Sequence, residues 1–230
     1  MESTYSMKVI ARIHSEFPDK FGIPRQSGLI NTLKATIVFE PEYRNPDAFR
    51  SLADFTHIWL IWGFSESVRP SWSPTVRPPR LGGNTRLGVF ATRSPYRPNP
   101  IGLSSVQLDR VEIHPEYGPV LHISGADLMD QTPIFDIKPY LPYVDSHPEA
   151  SEGFGGPLKM NKLEVHCPEE YLSRLSDNFR ESILALLAQD PRPSYQDDPE
   201  RIYGLRFAGY EVKFRVEHSI LYVCSIEKEN

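Results

Sequence analysis

The chain has 230 residues, with 25 Lys and Arg against 30 Asp and Glu and a formal net charge of -5. That length carries one or two domains with a real core, and the acidic balance excludes a protein that coats nucleic acid indiscriminately. Its 22 prolines, about twice the usual share, disfavour a helical bundle, and no apolar run reaches the roughly 18 residues of a membrane span.

Met1–Ser6 reads as a short tail, without the basic and apolar regions of a secretory signal. Met7–His14 alternates apolar and polar residues and is expected as a strand. Ser15–Ile30 is a long loop carrying Pro24-Arg25-Gln26, Ala35–Glu40 a second strand, and Pro46–Leu52 a short helical turn. His57–Phe64 is apolar almost throughout, which fits a strand buried on both faces. Between Ser67 and Gln107 lie six arginines (Arg69, Arg77, Arg80, Arg86, Arg93, Arg97), seven prolines, and no Asp or Glu. Proline keeps this backbone stiff, and a guanidinium fork on a stiff support suits phosphate. The arginines either face a polyanion, with RNA the expected one, or pair with acids elsewhere in the fold.

Within that segment Leu87–Thr92 is expected as a short strand, and Leu81-Gly82-Gly83-Asn84 as a turn. Leu103–Ile113 changes apolar phase after Leu108, which predicts a β-bulge near Asp109 or Arg110. Val120–Ser124 is a further strand. Short strands joined by turn residues point to an antiparallel barrel or sandwich. A linker is expected over Asp145–Pro157, where periodicity stops. Beyond it, residues 158–230 hold 13 acids against 10 Lys and Arg. Pro168–Gln189 places Leu172, Leu175, Phe179, Ile183 and Leu186 on one helical face, and Asp190-Pro191 stops it. Three strands follow, over 201–207, 210–216 and 220–226, completing a small α+β unit.

Ala91–Ser104 packs the most functional groups into one rigid loop. Arg93 and Arg97 flank Tyr96, whose ring can stack on a base; Asn99 offers an amide, and Gly102 admits close backbone approach to a ligand. Asp130-Gln131-Thr132-Pro133 forms a second polar cluster, which fits a turn. Asp136 and Lys138, two apart, share one side of a strand and can pair. Arg192, between two prolines, is a presented arginine or part of a helix stop. Seven histidines without ligand spacing give no metal site. Cys167 and Cys224 could form one bridge, but nothing else points to an oxidising compartment, and a cytoplasmic location is expected. No nucleophile elbow, Walker loop or dinucleotide fingerprint is present.

The run Arg77-Pro78-Pro79-Arg80-Leu81-Gly82-Gly83-Asn84, then GVFATRSPYRPNPIGLS, then DIKPYLPY resembles the TrmO (TsaA-like) family over about residues 7–146, and LLAQDPRPSY resembles its bacterial long form. The resemblance implies a mainly β chain: a single antiparallel β-barrel over 7–146, followed by a small α+β C-terminal domain over 158–230 that contacts tRNA. It implies a homodimer. It also implies an S-adenosyl-L-methionine-dependent methyltransferase acting on the exocyclic amine of N(6)-threonylcarbamoyladenosine at tRNA position 37, in the anticodon stem-loop. The donor-binding positions of the family fall on Pro24, Arg25, Gln26, Ser65, Glu66, Arg93, Leu103, Asp130, Gln131, Thr132 and Pro133. Arg69, Arg77, Arg80, Arg86, Arg97 and Arg192 would then grip loop phosphates. Asp136 and Tyr140, beside the donor-binding turn in sequence, are candidate bases for the amine proton. A non-catalytic RNA-binding module using the same arginines is the first rival, and a β-barrel methyltransferase for another small anion or nucleotide the second.

Overall fold

The structure, a computed structural model, describes residues 4–78, 85–151, 153–154, 162–193, 196 and 198–229. Arg80, the turn at 81–84 and part of the expected linker lie outside them. The chain divides into two compact units that are not contiguous in sequence. One comprises the chain up to Ser15, Gln26–Trp72 and Pro95–Tyr140; the other comprises Glu16–Arg25, Ser73–Ser94 and the chain from Leu141 on.

The first unit is a closed barrel. Its strands are β1 (Ala11–His14), β2 (Lys34–Phe39), β3 (His57–Gly63), β6 (Ile101–His114), β7 (Gly118–Ser124) and β8 (Pro133–Pro139); the short β4 (Thr75–Val76) and β5 (Leu87–Gly88) belong to the second unit. The order around the barrel is β1-β2-β7-β6-β3-β8, and every pairing is antiparallel. Closure leaves no free sheet edge and sends alternate side chains inward. On β3, Ile58, Leu60 and Trp62 fill the interior, whereas Trp59 and Ile61 lie half-buried on the outside. The apolar run therefore marks a strand with one fully buried face, not two. Ile13, Ile37, Val106, Leu121, Ile123 and Ile134 complete the core from the other strands.

Two register shifts interrupt the ladders. One lies between Leu108 and Arg110, where the phase change in sequence placed it. It turns Val111 toward the core and opposite Leu121. The other lies on β8, where Ile61 faces Asp136 and Trp62 faces Ile134. Phe135 is the extra residue, and past it Asp136 and Lys138 point away from the core while Ile137 packs against it.

Strand direction alternates around the barrel, so one rim collects the C-terminal ends of β1, β3 and β7 with the N-terminal ends of β2, β6 and β8. His14, Gly63, Ser124, Lys34, Ile101 and Pro133 mark this rim. The opposite rim carries Phe39, His57, His114, Gly118 and Tyr140.

In the second unit β10 (Tyr203–Phe207), β11 (Tyr210–Glu217) and β12 (Ile220–Lys228) form an antiparallel meander, and β9 (Glu164–His166) adds in parallel to β12. The expected long helix is two: α2 (Glu169–Leu172) and α3 (Asp177–Ala188), after the single turn α1 (Pro142–Asp145). Ser173 and Ser176, poor helix formers, bracket the break, and Asp177 supplies a negative charge to the first turn of α3. Phe17 and Phe179 both pack on Phe207. Gly22 holds φ +88, where a Cβ would also run into Leu205. The strand expected over Leu87–Thr92 is limited to Leu87–Gly88, because the chain turns at Val89–Ala91 to bury Val89.

Leu60→Ala, in the middle of the barrel, should cost about 2–5 kcal/mol through lost transfer energy and an unfilled cavity. Denaturant unfolding measures it; a loss under about 1 kcal/mol would mean the barrel interior is loosely packed there.

Candidate functional site

The turn at Asp130–Pro133 sits at the rim marked by His14 and is tied to the end of β1. The Gln131 N–H donates to the Ile13 carbonyl (2.8 Å), and the Ile13 N–H returns to the Thr132 carbonyl (3.3 Å). Asp130 Oδ1 accepts the Ser15 N–H at 3.1 Å, and the Thr132 hydroxyl donates to the Met129 carbonyl at 2.7 Å. Gln131 adopts φ 63, an uncommon conformation for a residue with a Cβ. Its side-chain amide lies 3.1 Å from His14 Nδ1, and its carbonyl accepts from Arg12 Nη1 at 3.2 Å. Strain at a turn held from several sides is the pattern of a ligand clamp.

Ser65 and Glu66 follow β3 directly at the same rim and are both exposed. The Phe64 N–H donates to the Pro100 carbonyl at 2.9 Å, so this turn lies beside the entry to β6. Leu103, opposite Ile61 on the outside of β6, is 58% exposed. Gln26 belongs to the same unit and is half-buried. The barrel rim thus gathers Ser65, Glu66, Leu103, Asp130, Gln131, Thr132 and Pro133. Pro24, Arg25 and Arg93 belong to the second unit; Pro24 is buried, and the Arg25 guanidinium donates to the Arg192 carbonyl at 3.3 Å.

The two candidate bases are placed apart from each other. Tyr140 follows β8 at the opposite rim; its N–H bonds the His57 carbonyl (3.0 Å) and its ring packs 5.5 Å from that of Trp59. Seven residues of strand, about 23 Å at the usual rise, separate it from Pro133. Asp136 is turned to the barrel exterior by the bulge at Phe135. Its carboxylate pairs with Lys138 at 2.9 Å and accepts the Ile137 N–H at 2.9 Å. For Tyr140, proximity in sequence to the 130–133 turn did not survive as proximity in space, because a strand carries the chain to the other rim; Asp136 faces Ile61 from one side as Leu103 does from the other, on the same outer side of the barrel.

The arginines fall into distinct environments. The Arg69 guanidinium lies 3.6 Å from the ring centroid of Tyr96, so one face of that ring is already occupied by a cation. Arg97 is half-buried and Arg93 exposed. Val76 and Leu87 form the last pair of the β4–β5 ladder, and Arg77 and Arg86, both exposed, are the residues that follow the one and precede the other in the chain. Among the described residues no carboxylate forms an ion pair with Arg69, Arg77 or Arg86. Arg192 is the opposite case: its side chain is only 12% exposed, and its fork binds Asp190 at 2.8 and 2.9 Å. It is a structural arginine at the end of α3 rather than a presented one.

Three cations of the C-terminal sheet are likewise answered by acids. Arg206 binds Glu229 and lies near Asp19, Arg215 binds Glu217 (2.7 Å), and Lys213 sits 3.4 Å from Glu211. The hydrogen bonds from Arg206 and Arg215 hold the Glu229 and Glu217 carboxyls below their usual range. Gly102 also departs from expectation: a Cβ there would meet the indole of Trp62, so its small size serves packing inside the barrel mouth. No periodicity or motif in the sequence signals that contact.

A family model described as tRNA-methyltransferase O N-terminal domain matches residues 12–146, and one described as TrmO C-terminal domain matches residues 161–229. The chain is 38% identical to the tRNA (adenine(37)-N6)-methyltransferase of Escherichia coli K12, over 98% of this chain and 99% of that protein. It is 49% identical to the enzyme of the same name from Eikenella corrodens, over 71% of this chain and 92% of that one. A crystal structure of TrmO from Pseudomonas aeruginosa superposes with a TM-score of 0.79 at 33% identity, covering 99% of both chains.

Gln131→Gly should be neutral or stabilise by up to about 1 kcal/mol, because glycine carries no penalty at positive φ. Gln131→Val should destabilise by about 1–2 kcal/mol at the same position. Urea unfolding of the two variants reads the difference; equal stabilities would show that the backbone is not held in this conformation.

Proposed function

The chain belongs to the TrmO family of tRNA methyltransferases, and from that premise we propose that it methylates the exocyclic N6 amine of N(6)-threonylcarbamoyladenosine at position 37 of tRNA, with S-adenosyl-L-methionine as donor. Relatives named as tRNA (adenine(37)-N6)-methyltransferases support the base and the position. A relative from Pseudomonas aeruginosa named as a putative S-adenosylmethionine-dependent methyltransferase, 39% identical over 91% of both chains, supports the donor. The threonylcarbamoyl group rests on the family resemblance.

When bound, the donor supplies a methyl group activated by a positively charged sulfur. A ligand with a cationic centre, an apolar nucleoside body and polar ends needs a carboxylate, exposed apolar surface and hydrogen-bonding groups. The rim offers these in Glu66, in Leu103, and in Gln26 with the Asp130–Pro133 turn. That set fits the group. Methyl transfer is an in-line displacement: the amine nitrogen gains the methyl carbon, the carbon–sulfur pair stays on sulfur, and the amine proton passes to a base, for which Asp136 and Tyr140 are the candidates. Holding the amine in line and excluding water supplies much of the rate without a covalent intermediate. Of the two candidate bases, Asp136 lies across β3 from Leu103 on the same outer face, whereas Tyr140 lies at the opposite rim of its own subunit. We assign the chain's contribution to the ordered turn at 130–133 and to the short 64–66 turn beside it.

An anticodon-loop nucleotide is single-stranded and can be splayed out at low cost. Arg69, Arg77, Arg86 and Arg97 are the proposed phosphate contacts, together with Arg80, which lies outside the described residues, and Arg192 leaves the set. Arg77 and Arg86, exposed next to the end of the β4–β5 ladder and in no ion pair with a carboxylate among the described residues, support this part. A cytoplasmic location follows from tRNA as substrate; no helix among the described residues is long and apolar enough to cross a membrane. The homodimer rests on the family resemblance.

Incubation with labelled donor and tRNA, followed by nucleoside mass spectrometry, should show one added methyl on threonylcarbamoyladenosine. Binding without label would make the protein a bare RNA-binding module. Label on tRNA lacking the threonylcarbamoyl group would overturn the substrate assignment. tRNA affinity should fall with salt, and Arg77→Glu with Arg86→Glu should flatten the log–log slope by about 0.7–0.9 for each phosphate that is no longer neutralised. An unchanged slope would remove the hairpin from the interface.

A further inference from the structure

Just inside the barrel mouth, three side chains from three different segments form a hydrogen-bonded chain. The Trp62 indole N–H, near the end of β3, donates to Ser104 Oγ at 3.0 Å. Ser104, near the start of β6, donates in turn to Asp127 Oδ1 at 2.6 Å. Asp127 lies on the segment joining β7 to the Asp130–Pro133 turn. The direction is fixed chemically. An indole nitrogen can only donate, so the serine oxygen accepts from it and its single proton goes to the carboxylate.

Each member is held. Ser104 is 1% exposed, and Trp62 is pressed between the backbone of Gly102 and the ring of Phe64, whose centroid is 4.3 Å away. A serine hydroxyl buried this deeply must be satisfied, and a carboxylate acceptor makes the shorter and stronger bond. The chain spans the three places where the proposed donor residues attach. Trp62 is three residues from Ser65, Ser104 adjoins Leu103, and Asp127 is three residues from Asp130. On the outer side of the barrel, by contrast, the Asp136 carboxylate pairs with Lys138 on its own strand and bridges no second segment through that pair.

We infer that Asp127, acting through Ser104 and Trp62, is a positioning residue that sets the Asp130–Pro133 turn against the strand ends carrying Glu66 and Leu103. The inference rests on the donor-site reading above. It gives Asp127 no proton to exchange with substrate. Its contribution is to donor affinity, through the placement of a turn that is already strained at Gln131.

The test uses the full chain, with donor affinity measured by calorimetry and turnover measured on threonylcarbamoylated tRNA. Asp127→Ala leaves the buried serine proton unanswered and should weaken S-adenosyl-L-methionine binding by about tenfold or more. Its kcat at saturating donor should stay within about threefold of the parent, since an interaction made equally in ground and transition states moves KM alone. Asp127→Asn keeps an acceptor oxygen for Ser104 and should restore most of the affinity. If Asp127→Ala does not fold, Ser104→Ala and Asp127→Asn decide: the first should weaken donor binding several-fold and the second should not. Unchanged donor affinity in Asp127→Ala, or in Ser104→Ala where that variant decides, overturns the inference. So does an Asp127→Asn protein that binds donor normally but whose kcat at saturating donor falls well beyond threefold, which would make Asp127 an acid–base group. If the parent protein itself binds no donor, the donor-site reading fails, and this inference falls with it.

Discussion

Closure of the barrel is the constraint on which the site depends. Six antiparallel strands can satisfy every backbone group only by running alternately up and down around a ring, and this arrangement sorts the connections between two rims. The segments leaving β1, β3 and β7 emerge at one of them. Residues distant in sequence, at 65–66, 103 and 130–133, therefore share a rim without any helix crossover or Gly-rich phosphate loop. A doubly wound methyltransferase brings its ligand to the carboxyl ends of parallel strands; here an antiparallel barrel reaches a comparable result through strand alternation.

The same constraint separates what sequence proximity had joined. A strand of seven residues transports the chain from one rim to the other, so Tyr140 and the turn at 130–133 of one subunit lie at opposite rims. The order of the donor-side rim is built to position a ligand. The protein holds Gln131 in a costly conformation with bonds from Ile13, Arg12 and His14, and buries a Trp–Ser–Asp chain behind the turn. Charge follows a matching division. Acids answer Arg206, Lys213, Arg215 and Arg192, whereas Arg69 rests on a tyrosine ring and Arg77 and Arg86 sit exposed next to the end of a two-stranded ladder. Guanidiniums that no described carboxylate answers, on a stiff and proline-rich support, are a standing attraction for phosphate in a protein whose net charge is negative.

Much of the architecture was legible in the chain because period-two burial leaves a direct trace. The strands at 35–40, 57–64 and 120–124 emerge within a residue or two of the expected bounds, and the phase change after Leu108 located a bulge. Where tertiary packing overrides local pattern, the sequence misleads. β8 was legible only at Asp136 and Lys138, whose pairing on one side of a strand is observed at 2.9 Å; Pro133 and Pro139 look like loop residues, and the bulge at Phe135 breaks the alternation that would have disclosed its full extent. The helix over Pro168–Gln189 kept its apolar spacing across a break, because Leu175 is buried from a turn as well as it would be from a helix. Arg192 could not be told from a ligand-facing arginine, since its neutralising partner is two residues away and both fit a helix stop. Gly102 invited a ligand contact, but the small side chain is required by an indole from another strand, a pairing no one-dimensional pattern records.

The central claim is that the donor binds at the rim marked by Pro133 and Gly63, not at the rim marked by Tyr140 and His57. Hydrogen–deuterium exchange of the full chain with and without S-adenosyl-L-methionine tests it most directly. The account predicts slowed exchange at residues 64–66, 101–103 and 126–133, with residues 114–118 and the amide of Tyr140 unchanged. Slowed exchange at 114–118 and around Tyr140, with 126–133 unaffected, would contradict it.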